Sequence, residues 1–333
     1  MKKKSIVALS MMVGAALVAQ ADRASAGHCP AASVGDITEY AIPSGASPGA
    51  MTFGPDNRVW FTEPTAKKIA AADSNGNVTE YPLAAGANPF AITLGPDGRI
   101  WFTDTGRNLI GAITKSGVVT EYAIPTSNSL PAAITLGFDG NLWFTETLGN
   151  KVGRITPAGV ITEFALPTAN SQPRGIAAGI DGKLWVAESR ANKIARISTS
   201  GAVTEYPLPA GAVTPNAMTL GPDLKIWFTM AGKIAKIDTH GTVTEFALPA
   251  ASRAPANITL GVDGNLWYTD QSANKIGRVT TSGVVTEFDL PLANSRPFGI
   301  TLLPSLQGCG LLDIWFTERQ GSRLGKIRAV TTR

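Results

Sequence analysis

Seven tryptophans punctuate the chain: Trp60, Trp101, Trp143, Trp185, Trp227, Trp267 and Trp315. They stand 41, 42, 42, 42, 40 and 48 residues apart, each inside a phrase such as IWFTD, LWFTE or LWYTD. A fixed period near 42 means one supersecondary unit repeated, each copy burying its apolar face against the next. Within residues 131–166 the unit reads AAITLG, a turn at Phe138-Asp139-Gly140, NLWFTE, a loop, KVGRIT, a turn at Pro157-Ala158-Gly159, and VITEFAL. Short runs of β-branched and aromatic residues, cut by Asp-Gly and Ser-Gly turns, predict four antiparallel strands per unit, here called A to D. This punctuation excludes a helical solenoid and predicts an all-β, seven-bladed β-propeller.

Counting strands tells how the ring closes. TEY or TEF marks strand D at Glu39, Glu80, Glu121, Glu163, Glu205, Glu245 and Glu287, and the first of these precedes any strand A. The chain ends on GKIRAV, a strand C with no strand D behind it. Seven complete blades require the N-terminal ITEYAIP to finish blade 7 by pairing with residues 324–330, which leaves no open edge. Alternation then puts the A–B and C–D turns on one face and the B–C and D–A loops on the other.

Ahead of the repeats, Lys2, Lys3 and Lys4 precede an apolar run from Ile6 to Ala19 and two small-residue cleavage motifs, with cleavage expected after residue 21 or 26. That pattern reads as a bacterial secretory signal peptide over 1–26, followed by one propeller domain over 27–333 in an exported, periplasmic or secreted protein. No later run approaches the roughly 18 apolar residues of a membrane span. The formal charge of +4 falls to +1 once the three leader lysines are removed, so the basic balance is no argument for a nucleic acid partner. A monomer binding a small molecule is expected. The two histidines, His28 and His240, are far apart, and His240 falls in a C–D turn where a solvated side chain is expected.

Strand B ends in a carboxylate in six blades, at Glu63, Asp104, Glu146, Glu188, Asp270 and Glu318, with Met230 the exception. A ring of acids around the channel could hold a hard divalent cation. Because the acid recurs with its whole phrase, and Lys151 follows Glu146 across the hairpin, repeated structural pairing or solvation is the simpler reading. The strand D glutamates are expected to pair with Arg154, Arg196, Lys236 or Arg278. A functional signal lies where the repeat is broken while its frame is kept. ANSQPRGI at 169–176 and ANSRPFGI at 293–300 share six of eight letters and differ on either side of the proline. Directly after that proline the seven blades carry Gly49, Phe90, Ala132, Arg174, Asn216, Ala256 and Phe298. These positions are expected to crowd the channel mouth, and Phe90, Arg174, Asn216, Arg296 and Phe298 are the candidate ligand-binding residues, suited to an anionic or aromatic ligand.

Units such as WFTETLGNKVGRITPAGVITEFALP, with PxxI leading into LGPDG, resemble the virginiamycin B lyase family, the streptogramin lyases, over essentially the whole predicted mature chain. The resemblance implies a seven-bladed propeller that opens a cyclic depsipeptide at its ester by Mg²⁺-assisted elimination, with histidine as general base. It also implies histidines directly after the proline of blades 6 and 7, where this chain has Ala256 and Phe298. A glutamate before the blade 7 proline is replaced by Arg296, and a tyrosine at the blade 1 mouth by Gly49. Glu318 falls near a further acidic residue of the family's site and is the one candidate catalytic group. Neither Ala nor Phe can take a proton, so the expectation is a binding protein on a lyase scaffold. The alternatives are a Mg²⁺-dependent lyase or lactone hydrolase with a carboxylate base, and a purely structural propeller.

Cys29 and Cys309 both fall on the A–B and C–D face of blade 7, the latter in SLQGCGLLD, which lengthens the last period. A disulfide between them would fasten the ring-closing strand, worth about 5 kcal/mol from loop entropy before strain is subtracted. Mass spectrometry of exported, unreduced protein is expected to find the two joined; two free thiols would show that closure needs strand pairing alone.

Overall fold

Strands predicted from turn chemistry are the strands formed. The computed structural model describes residues 33–211, 214–250, 253–304 and 312–330, and among these all regular structure is β-strand. No helix there is long and apolar enough to cross a membrane. Seven four-stranded antiparallel sheets follow one another around a ring. Blade 3 shows the pattern, with strands A to D at Pro131–Leu136, Leu142–Glu146, Lys151–Ile155 and Ile161–Ala165. Blade 7 takes Pro297–Pro304, Leu312–Glu318 and Arg323–Val330 from the end of the chain and its fourth strand, Ile37–Ala41, from the beginning. Ile37 faces Ile327 and Tyr40 faces Leu324, so the expected closure is what the chain adopts. The proposed Cys29–Cys309 bond and the leader lie outside the described residues.

Strand B is buried on both sides because both sides meet another blade. Leu142 and Phe144 pack with Trp101 and Ile110 of blade 2, whereas Trp143, one residue out of phase, packs with Ile176 and Leu184 of blade 4. The Trp143 indole donates to Asp139 of the A–B turn at 3.1 Å, and its ring stacks on Phe164 of strand D at 5.5 Å. In blade 7 the same stack is made by Trp315 on Tyr40, so an aromatic from the first strand seals the last blade.

Pleat parity decides which cation meets which acid, and here the structure departs from expectation. Glu163 lies opposite Gly153, on the same face as Lys151, while Arg154 lies opposite Thr162 on the other. Lys151 Nζ therefore binds Glu163 at 2.8 Å, and Arg154 covers Trp143 instead. Arg196, Lys236 and Arg278 likewise cover Trp185, Trp227 and Trp267, and the strand D glutamates are held by the first residue of strand C in every blade but the second, where Arg107 of the B–C loop holds Glu121.

The blades are stitched by strand B threonines. Thr145 Oγ1 accepts from Ala133 N at 3.0 Å in its own blade and donates to Arg174 O of the next at 2.7 Å. Thr103, Thr229, Thr269 and Thr317 repeat this relay, and Thr62 donates to Phe90 O. Blade 4 alone breaks it, having Ala187 at that place. Thr317 spans the closing seam, from Gly299 N to Gly49 O. There a Cβ on Gly299 would come within 2.5 Å of the Gly49 carbonyl, so the close approach requires glycine. Thr317→Val keeps the shape but strands two buried backbone groups, and is expected to cost about 2 to 4 kcal/mol in urea unfolding. Thr317→Ser, which keeps the hydroxyl, is expected to cost about 1 kcal/mol.

Beneath these stitches lie the strand B acids. Neither oxygen of Glu63, Glu146, Glu188 or Glu318 has a hydrogen-bond partner among the described residues, and all four are fully buried. The Ser129 hydroxyl lies beside Glu146 but donates to Asn108 Oδ1 at 2.9 Å. Burial, reinforced by the strand D carboxylate nearby, raises each of the four to about 7. For Glu80, Glu163 and Glu205 burial pushes the same way, but their bonds from Lys68, Lys151 and Lys193 outweigh it and the net direction is down. The two sets act oppositely on stability. The lowered glutamates contribute stability above the unfolded carboxyl value of about 4.3 and lose it as pH falls. The raised ones leave the native state holding more protons between about 4.3 and 7, so stability falls as pH rises across that window. Denaturant midpoints are expected to peak near about pH 5. Glu146→Gln is expected to gain about 1 to 3 kcal/mol over the native chain at about pH 8 and little at about pH 5.

Candidate functional site

The frame letters of the D–A loop have identifiable tasks. Asn150 takes a left-handed φ of 53°, from which its Oδ1 accepts from Ser171 N at 2.7 Å and Ser171 Oγ at 2.9 Å. Its Nδ2 donates to the carbonyls of Leu166 and Thr168 at the loop's start. Asn108 with Ser129 and Asn274 with Ser295 repeat the clasp. From the other side Glu163 accepts from Thr126 N and Oγ1, tying the loop to the next blade. With the loop pinned and the carbonyl after the proline clasped by threonine, the side chain at that position is left for the central space.

That space is a cavity of about 770 Å³ lined by strand A of every blade. Phe90, Ala132, Arg174, Asn216, Ala256 and Phe298 all line it, so the position read from the broken repeat is a cavity position in six blades. In the seventh, Gly49 has no side chain to offer, and the rings of Phe90 and Phe298 meet from either side of blade 1 at 6.3 Å, edge to face. Asn216 donates from Nδ2 to the Ala256 carbonyl at 3.3 Å, which aligns its amide along the rim.

Arg296 does not belong to this group. It is exposed, takes a φ of 54° and lines no cavity; it contributes only its carbonyl, which accepts from Arg319 N at 3.2 Å. Arg319 is the cation missed at the sequence level. Its guanidinium lies 3.5 Å from the centre of the Phe298 ring, inside the cavity wall, and burial lowers its pKa, though a guanidinium stays protonated. A signal for it existed. The residue after the strand B acid is Pro64, Thr105, Thr147, Ser189 and Ala231 in blades 1 to 5, but the longer Gln271 and Arg319 in blades 6 and 7.

The six strand B acids stand apart from the cavity, whose lining includes none of them. Asp104 accepts from the backbone of Asn88, Gly106 and Arg107, and Asp270 from that of Ser272 and Ala273, so both order B–C loops. Glu318 is buried in the same relation to its blade as Glu63, Glu146 and Glu188, behind the wall rather than in it. Four acids raised to about 7 at equivalent positions mark a property of the repeat, not of a site. Among the described residues no three His, Cys, Asp or Glu side chains gather as a metal site would need. A hard divalent cation takes oxygen ligands with carboxylates prominent, and a lining of amides, hydroxyls and the guanidiniums of Arg174 and Arg319 does not fit Mg²⁺. His240 is exposed in its C–D turn, as expected.

A second cavity of about 380 Å³ opens beside the first. Arg174, Asn216, Ala254 and Pro255 line both, and Arg190 and Arg253 line the smaller one alone.

Comparison with known proteins places this geometry. The family model described as the virginiamycin B lyase family matches residues 18–173 and 139–332. A streptogramin B lyase structure is 35% identical, with 87% of this chain and 96% of that one covered and a TM-score of 0.81. Virginiamycin B lyase from Staphylococcus aureus is 36% identical over 89% of this chain and 99% of its own, with a TM-score of 0.81. A catalytically inactive histidine-to-alanine variant of that enzyme, in a structure with quinupristin, has the same identity and a TM-score of 0.82. The search of curated proteins gave no match. With the family model spanning nearly all of the sequence and relatives at 35 and 36% identity covered almost end to end, the chain belongs to the virginiamycin B lyase family.

Proposed function

We propose that this protein is an exported propeller that binds a small ligand in its central cavity and does not carry out the elimination for which its family is named. The observation that carries the reading is the identity of the two positions where the family resemblance calls for histidine. Ala256 is a buried methyl, and Phe298 is an aromatic ring held between Phe90 and Arg319. Abstracting a proton from carbon needs a base that is unprotonated near working pH. None of the cavity side chains meets that need: the lining has no histidine and no carboxylate, and its arginines are permanently protonated. What remains is a recognition surface of two rings, a stacked guanidinium, Asn216 and the exposed Arg174. Such a surface suits a planar or aromatic group with hydrogen-bond acceptors. The lysine-led apolar segment before residue 26 supports export.

A relative is described in a structure with quinupristin, so streptogramins are the first compounds to offer. The purified protein, given a streptogramin B and Mg²⁺, is expected to leave the ring ester intact at the rate of a protein-free control. Linearisation above that control, abolished by EDTA, would overturn the reading. For an aromatic ligand found by screening, Phe90→Ala with Phe298→Ala is expected to weaken binding by about 1 to 3 kcal/mol. Unchanged affinity would place the ligand elsewhere.

A further inference from the structure

Blade 5 departs from the other six in two ways that coincide in space. Its strand B ends in Met230 where the others end in a carboxylate. Its B–C hairpin has only Ala231 and Gly232 between strands ending at Met230 and starting at Lys233, whereas blade 3 has four residues between Glu146 and Lys151. The tight hairpin is made possible by Gly232 at a φ of 71°. Two residues fewer at this rim leave room, and the smaller cavity occupies that place, with Met230 and Ala231 in its wall.

Three guanidiniums surround the opening. Arg174 comes from strand A of blade 4, Arg190 from the B–C loop of the same blade, and Arg253 from the loop entering blade 6. Gly232 N donates to the Arg253 carbonyl at 3.2 Å, so the short hairpin itself fixes where Arg253 stands. Among the described residues none of the three makes an ion pair, although all twelve Lys and Arg residues on the C strands do or cover a tryptophan. No acid lines the cavity. The position that holds a carboxylate in the other six blades holds the thioether of Met230, so no acid stands there at any pH.

We infer that this smaller cavity is an oxyanion subsite, built to hold a carboxylate or phosphate group by forked guanidinium bonds. Because Arg174 lines both cavities, the ligand class that fits the pair is an aromatic oxyanion, with its acidic group at Arg174, Arg190 and Arg253 and its ring toward Phe90 and Phe298. Only that second part rests on the central-cavity reading.

Inorganic phosphate titrated by calorimetry into the full chain at low salt is expected to bind at one site. Arg190→Gln and Arg253→Gln are each expected to weaken it by about tenfold. Met230→Glu, which restores the residue of the other blades, should weaken it similarly. Arg296→Gln, an exposed arginine outside both cavities, should change it by less than about twofold. Thermal unfolding of each variant separates lost binding from lost fold, and Arg253→Lys, which keeps the charge without the fork, should bind between native and Gln. No phosphate binding, or equal weakening by Arg296→Gln, would overturn the subsite. Phenyl phosphate then tests the link: binding about tenfold tighter than phosphate, with the gain lost in the Phe90→Ala, Phe298→Ala pair, supports it. Phosphate bound with no gain from the ring would leave the subsite standing and overturn the central-cavity reading.

Discussion

A propeller has no core at its axis, so everything in this ring depends on what fastens one blade to the next. Part of that is apolar: each tryptophan crosses to the neighbouring blade, and seven clusters of this kind close the circle. Apolar contact is not directional, and it would let blades slide. Direction comes from the strand B hydroxyl, which accepts from one strand A and donates to the next. Since its acceptor is the carbonyl directly after the strand A proline, the relay also fixes how the adjoining side chain stands over the cavity. Mechanical closure and the site's geometry thus share one atom in each of six blades.

This sharing explains how the fold and much of the site were legible in the sequence. A relay that uses only backbone groups of strand A leaves its side chain free to vary, so ANSQPRGI and ANSRPFGI keep the letters that hold the loop and change those that face outward. Phe90, Arg174, Asn216 and Phe298 are legible in this way as positions lining one cavity. Arg296 stands outside the two cavities because two positions flank the proline and only one reaches them, a distinction set by a left-handed turn at 296 that no letter announces. Arg319 was missed because it stands on strand B, in a phrase read for its acid. The ion pairs were misassigned for a related reason: register across a hairpin decides which face a cation occupies, and a slip of one residue exchanges the partners of Lys151 and Arg154.

The relay fails at one boundary, between blades 4 and 5. Ala187 has no hydroxyl to offer blade 5, and the Asn216 carbonyl, which it would have reached, lies against Gly175, where a Cβ would come within 1.9 Å. The same boundary has the replaced acid and the shortened hairpin of blade 5. Three departures from a seven-fold pattern at one boundary act together, since each removes something that would otherwise fill or neutralise the rim. Departure at the opposite boundary takes another form: Gly49 withdraws a side chain, and two phenyl rings close over the gap.

The distribution of charge separates frame from site more sharply than residue type does. In the frame nearly every cation has a task, either pairing a strand D glutamate or covering a tryptophan, and the raised strand B acids add little negative charge below about pH 7. Arginines without an acidic partner among the described residues are Arg154, Arg174, Arg190, Arg253, Arg296 and Arg319. Arg154 spends its charge on Trp143 and the Thr199 carbonyl. Of the other five, all on the D–A and B–C face, four line the two cavities. A chain of nearly balanced charge thereby presents a positive field at one mouth of its channel, without any basic run in its sequence. Field lines concentrate in a cleft with low-dielectric walls, so four guanidiniums with no acid in either lining act on the same space.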